Sequence, residues 1–169
     1  NCCSVNYSYC EPTATYGVIT TARALLVEAE AAELGWISAD AETLYKAGIK
    51  ASFDFSGASG YDTYITSDKV ALSSVKQTAL SQIVMQRFLA GFMTDGIEAW
   101  SDWRRYNIPT MPIYAGQSAE GITVYPYRMQ YITEEKDYNE ANTTDVINKY
   151  FNGKDDRWQR VWWDTKDNI

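Results

Sequence analysis

Histidine does not occur anywhere in the 169 residues. Its absence excludes Ser-His-Asp and Cys-His catalysis, histidine-held zinc or haem, and any switch that works through imidazole. Cysteine is scarce: Cys2, Cys3 and Cys10 stand within the first ten residues and no other follows. An odd, crowded set is not a disulfide framework. One bridge from Cys10 to Cys2 or Cys3 is the most it can form, and a zinc site would need a carboxylate as fourth ligand. Apolar runs are short, so no helix is long enough to cross a bilayer. Positive charge is in deficit, with 15 Lys and Arg against 22 Asp and Glu and a net charge of −7. A polyanion is repelled by that balance, and the pair Arg104-Arg105 is too isolated to track phosphates, so nucleic acid is excluded as a partner. The signatures GxGxxG, P-loop, GxSxG and Cys-x-x-Cys are missing as well, and no cofactor or metal is expected. The chain begins at Asn1 with neither Met nor the basic and apolar regions of a signal peptide, which reads as a processed or cut protein.

Aromatic residues, in contrast, are plentiful at 14%, and 13 Tyr and 6 Trp outnumber 5 Phe. Tyr and Trp join a large apolar face to a polar handle, which suits interfaces and sugar-like ligands as well as core walls. The length fits one domain, residues 1–169, with a core of its own. Within it the residues divide into a loop at 1–17, a helical part at 18–105 and a loop-rich tail at 110–169.

Residues 18–34 carry Ile19, Ala22, Leu26 and Ala29 at helical spacing, and the alanines around them give a slim face for close packing. Gly35 is placed to cap this helix in the left-handed conformation. Ser38 is placed to open a second helix with Ala41, Leu44, Tyr45, Gly48, Ile49 and Phe53 on one face. The pair reads as a helical hairpin resembling one tetratricopeptide unit, with Ala41, Tyr45 and Gly48 in its small–aromatic–small positions and no second copy in the chain. Residues 54–71 read as a loop broken by Gly57 and Gly60. A long helix is expected over 72–93, apolar at Leu80, Ile83, Val84, Phe88 and Phe92, polar at Lys76, Gln82 and Gln86. Asp95 followed by Glu98 resembles a capping box, opening a helix to about Arg105 that Pro109 and Pro112 forbid from continuing. The tail is expected to hold a short strand near 122–125, helix around 143–151, and Trp158, Trp162 and Trp163 as anchors. The expected fold class is therefore mainly α, with little β.

The segment EAWSDWRRYNIP, residues 98–109, concentrates the chemistry. Glu98 and Asp102 lie four apart on one helix face, and paired acids across a sugar make a glycosidase. With Arg104 and Arg105 beside them, the simpler reading is an ion-pair network that holds a buried arginine, with Trp100 buried beside Ile97. Asp155-Asp156 and Glu134-Glu135 read as solvated or helix-start charges, with a calcium site in the tail left open.

The order of five motifs resembles the C-terminal half of SusD/RagB-like outer-membrane lipoproteins. These are ITTARALLVEAEAAELGWISADAETLYKAGIKASFDF, YITSDKVAL, QIVMQRFLAGFMTDGIEAWSDWRRYNIPTM, VYPYRMQYITEEKDYN and RVWWD, the last marking the SusD-like branch. The resemblance implies a non-enzymatic protein of mainly α-helical fold with tetratricopeptide-like hairpins. It implies capture of oligosaccharides at the cell surface, or of peptides in RagB-like members, for a SusC-like TonB-dependent transporter. It also implies a longer protein, lipid-anchored at the outer membrane through an N-terminal half not present here. Because members with different ligands share the signature, Glu98, Trp100, Arg104, Arg105, Trp162 and Trp163 are expected to be structural. No ligand-binding residue transfers by motif. From the residues themselves, Tyr61 and Asp62 in the glycine-flanked loop are the candidate contacts: an exposed ring to stack on a sugar and a carboxylate to accept its hydroxyls. The competing classes are a fragment of a glycan-degrading enzyme and a helical module that docks a partner protein.

Overall fold

The computed structural model describes residues 5, 7–113, 121 and 124–165. The chain divides into two compact units, Asn1–Pro109 and Thr110–Ile169. Regular structure among the described residues is helical throughout, as the fold class anticipates. The strand expected near 122–125 is not formed at 124–125, and 122–123 lie outside the described residues, as do Cys2 and Cys3; Cys10 is exposed.

In the first unit a 3-10 turn, Tyr7–Tyr9, precedes helix α1, Thr21–Leu34. Thr20 fixes its start three residues later than the apolar pattern suggests, because the Thr20 hydroxyl accepts the Arg23 N–H at 3.2 Å. Val18 and Ile19 are left outside the helix. At the other end Gly35 takes a φ of 82° and its N–H and that of Trp36 return to Ala32 and Ala31, closing the helix as expected. Helix α2 is Ala41–Ser56, and its cap is Asp40, not Ser38: the Asp40 carboxylate accepts the Thr43 N–H at 2.8 Å. Gly57 and Gly60 both have positive φ, but the loop between them and residue 71 is not featureless, since it holds the short helix α3, Tyr61–Ile65.

Helix α4, Lys76–Ala90, is shorter at both ends than the periodicity suggests. Residues 72–75 are held off the helix by side chains: Gln82 Oε1 accepts the Ser73 N–H at 2.8 Å and Ser73 Oγ accepts that of Val75 at 3.1 Å. Gln82 and Gln86 are therefore not a solvent face. Gln82 pins the loop, with its Nε2 donating to the Ala71 carbonyl at 2.9 Å, and Gln86 is buried, its Nε2 donating to the Tyr64 hydroxyl at 2.9 Å. Helix α5, Gly96–Tyr106, follows, ending on Asn107 at positive φ.

Helices α1 and α2 pack as the expected hairpin, α4 lies across both, α5 packs on α4 and α3 on α2. The core is Leu26, Ala29, Tyr45, Ile49, Val70 and Ile83. Full burial of Leu26, Ile49 and Ile83 stabilises the fold by about 1.5–3 kcal/mol apiece. At the crossing, a Cβ on Gly48 would come within 2.7 Å of Leu26 Cγ and 3.3 Å of the Ala22 carbonyl, so only glycine permits this approach. The Tyr45 ring is fully buried, and its hydroxyl donates to the Val70 carbonyl at 2.8 Å.

The second unit contains helices α6, Thr133–Tyr138, and α7, Glu140–Tyr150. Glu134 and Glu135 lie in the first turn of α6, where carboxylates are favoured by the helix dipole. Its other order comes from arginines. Arg128 is buried against the Phe151 ring, 4.0 Å from the centroid, and pairs with Asp155. Arg160 lies 4.0 Å over the Tyr127 ring and pairs with Asp164.

Candidate functional site

The residues that carry chemistry in the first unit meet where α1, α4 and α5 face one another. Arg87 sits on the apolar side of α4, four residues after Ile83, and is only 3% exposed. Its Nε and Nη2 donate to the two carboxylate oxygens of Asp102 at 2.6 and 2.9 Å, a two-point clamp, and its Nη1 donates to Glu30 on α1. Glu30 also accepts from the Tyr106 hydroxyl and pairs with Arg105 at 3.0 Å. On the other flank Arg23 of α1 reaches Asp95 and Glu98, both at 2.8 Å, and lies 3.7 Å from Asp102. Burial by itself would raise the Glu30 carboxyl, but the Tyr106 hydroxyl and Arg87 overcome it and hold Glu30 below its ordinary value. Burial likewise works against the Arg87 charge, and Asp102 and Glu30 together reverse it.

This arrangement corrects several expectations for residues 98–109. The buried arginine is Arg87, which lies outside the segment. Arg105 keeps 52% of its side chain exposed while touching Glu30, and Arg104 lies over the half-buried Trp100 ring at 4.8 Å. Trp103 is the buried tryptophan, and Ile97 is exposed. The capping box is not formed: Asp95 occupies the cap position, but its carboxylate goes to Arg23 instead of a helix N–H. The space between Glu98 and Asp102, which a glycosidase would give to a sugar, is bridged by the Arg23 guanidinium. Periodicity alone overlooks Arg23, Glu30, Arg87 and Tyr106. The readable signal was Arg87, a lone charge four after Ile83 on the apolar face of α4, and the pair Arg23 and Glu30, seven apart beside Leu26 on α1.

Tyr61 opens α3, half-buried instead of exposed. Its ring meets Phe53 edge-on at 5.8 Å and its hydroxyl donates to the Lys46 carbonyl at 3.2 Å, while Asp62 beside it is exposed. Asp155 is not a solvated charge: Lys136 lies 2.7 Å away, the Tyr131 N–H donates at 3.1 Å, and Arg128 completes the set. Its burial would raise the carboxyl, but Lys136 and Arg128 hold it below its ordinary value. No cluster of ligands able to hold a metal ion is present among the described residues. Trp162 and Trp163, expected as anchors, are 77% and 61% exposed and stack edge-to-face on each other at 5.3 Å. Open depressions lie against α7, beside Thr143 and Ile147 (about 410 Å³), and between the start of α1 and the end of α2 (about 390 Å³); Tyr61 and Asp62 line neither.

Residues 3–132 match the family model of SusD-like proteins, described as starch-binding and associating with the outer membrane. No curated protein matches the chain. Among solved structures, a chitin-binding SusD homologue from Flavobacterium johnsoniae is 30% identical, with a TM-score of 0.73 over 88% of this chain and 36% of its own. A SusD homologue from Bacteroides fragilis is 27% identical, with a TM-score of 0.74 over 85% of this chain and 34% of its own. One from Bacteroides uniformis is 26% identical, with a TM-score of 0.71 over 86% of this chain and 36% of its own. The chain thus spans about a third of the length of these relatives. The motif order, the helical fold and these matches agree, and the chain belongs to the SusD-like family.

Proposed function

We propose that the protein is a non-enzymatic nutrient-binding protein of the outer membrane. In this reading it captures oligosaccharides at the cell surface and passes them to a SusC-like TonB-dependent transporter. The observation that carries it is the family match over residues 3–132, joined to a chitin-binding relative of the same fold at 30% identity. The arginine network supports binding over catalysis: Arg23 engages Glu98 and Arg87 engages Asp102, positions that serve to join helices. Within the same proposal residues 98–106 form a frame, lipid anchoring belongs to a part of the protein N-terminal to residue 1, and Tyr61 and Asp62 are the ligand contacts, with Asp62 as the accessible member.

Titration calorimetry of the full-length protein with maltoheptaose and with chitohexaose tests it. Saturable heat with at least one, and no shortening of the sugar on prolonged incubation, is the expected result. Turnover that disappears in Glu98→Gln or Asp102→Asn would overturn the reading, as would binding of peptides with no response to any oligosaccharide. Asp62→Ala should weaken the sugar while leaving the melting temperature unchanged; unaltered affinity would remove residues 61 and 62 from the site without touching the wider function.

A further inference from the structure

Among the described residues, two asparagines stand just past helix ends in the left-handed conformation. Asn107 closes α5 with a φ of 56°, and Asn152 follows the end of α7 with a φ of 52°. Both are exposed. Asparagine suits that position better than most residues, so the conformation itself needs no further reason. What comes next in the chain differs: Ile108 follows Asn107, whereas Gly153 follows Asn152. The branched side chain of isoleucine shields its own backbone nitrogen. Glycine leaves that nitrogen open to the carboxamide of the asparagine before it. The hold on Gly153 is a shared one. The Ile147 carbonyl accepts the Phe151 N–H at 3.0 Å and the Gly153 N–H at 3.2 Å, so one acceptor closes the helix twice. End turns of this kind open at little cost in free energy, and opening this one releases the Gly153 nitrogen.

We propose that Asn152 is a site of self-modification: it deamidates when this turn opens, and the product unlatches the end of α7. The Gly153 nitrogen gives up its proton and attacks Cγ of Asn152. The N–Cγ bond forms, the Cγ–Nδ2 bond breaks, and the side-chain nitrogen leaves as ammonia with a proton in place of the one lost. Water then opens the five-membered imide. Addition at Cγ gives aspartate, and addition at the main-chain carbonyl gives isoaspartate. Nothing is oxidised or reduced, and water is the one co-reactant. Either product places a negative charge at a helix C-terminus, where the helix dipole disfavours it. Isoaspartate also adds a carbon to the main chain and so moves the Gly153 N–H away from the Ile147 carbonyl. The neighbouring Phe151 ring carries Arg128 at 4.0 Å, and Arg128 pairs with Asp155, three residues beyond Asn152. The change therefore reaches an ion pair that supports the second unit. The inference depends neither on the ligand nor on the family.

The test holds the full-length protein in mildly alkaline buffer at physiological temperature. Peptide mass spectrometry follows the exchange of NH2 for OH at each asparagine, with electron-transfer fragmentation to separate aspartate from isoaspartate. Asn152 is expected to convert at least about tenfold faster than Asn107, because Gly153 offers an unshielded nitrogen and Ile108 does not. Equal rates, or faster conversion at Asn107, overturn the proposal. The converted protein carries one more negative charge and separates by anion exchange. Its Gly153 and Lys154 amides, which bond to Ile147 and Phe151, should exchange hydrogen at least about tenfold faster than in the unconverted form. Unchanged exchange overturns the unlatching. Asn152→Gln, with a longer side chain that closes no five-membered ring, should lose the acidic form; its accumulation at the original rate overturns the assignment to Asn152.

Discussion

Arg87→Ala is the perturbation that the structure makes most informative. The guanidinium holds Asp102 at 2.6 and 2.9 Å and Glu30 besides, in a setting where only 3% of the residue reaches water. Removing one partner of a buried pair strands the remaining charge at a cost of roughly 3–5 kcal/mol. Two features place the loss toward the lower figure: Glu30 keeps Arg105 and the Tyr106 hydroxyl, and Asp102 keeps Arg23 at 3.7 Å. About 3 kcal/mol in a chain of this size lowers the melting temperature by about 6–12 °C. The comparison is Lys50→Ala, which gives up an exposed pair with Asp54 one helical turn on, worth about 0.3–0.5 kcal/mol. Thermal and urea melts of both variants in the 169-residue chain decide the matter. Equal melting temperatures, or a larger loss for Lys50→Ala, would refute the assignment of Arg87 as the buried centre.

Acidification tests the same network. Glu30 is held below its ordinary 4.5, so its contribution is complete above that value and disappears as pH falls through its lower folded value. In Arg87→Met Glu30 keeps Tyr106 and Arg105 but loses one of the groups that hold it down, so the stability gap to wild type should narrow as pH falls below 4.5; a constant gap in urea melts would show that Glu30 does not depend on Arg87. Gly48→Leu should cost about 1–3 kcal/mol through collision with Leu26, read as a lower urea midpoint, and an unchanged midpoint would mean that the hairpin opens freely. Trp162→Ala in the 169-residue chain should stay within about 0.5 kcal/mol of wild type by thermal melt, because the ring is mostly in water.

Much of the fold was readable because helical period is local information. Ala22, Leu26 and Ala29 in α1, and Tyr45, Gly48 and Ile49 in α2, lie on the faces their spacing assigns. Gly35 ends α1 as its conformational freedom suggests. Helix ends were less readable where side chains compete for backbone groups. Asp40 and Ser38 are both plausible caps, and only the observed bond to Thr43 N–H selects Asp40. Nor does any local pattern announce that Gln82, eleven residues from Ala71, ties the loop down and so shortens α4. The tail was least legible, since its exposed tryptophans resemble core residues in composition and its true supports, Arg128 and Arg160, resemble surface residues.

The charge network shows why proximity in sequence misleads about proximity in space. Residues 98–109 look self-sufficient because two acids and two bases fall within one short run. On a helix, however, residues one or two apart do not face each other, whereas those four apart do. Glu98 and Asp102 therefore point together, Arg105 on the same side reaches Glu30 of α1 instead, and the two acids are met by bases from elsewhere. Those bases are Arg23 and Arg87, the latter 15 residues from Asp102 and joined as well to Glu30 across 57. Arg87 is a solitary charge on the apolar side of α4, whereas Arg23 and Glu30, seven apart, share one side of α1. A solitary charge in such a place must find an opposite partner or forfeit several kcal/mol. Arg87 on α4 thus requires acids from other helices, and it finds them in Glu30 of α1 and Asp102 of α5.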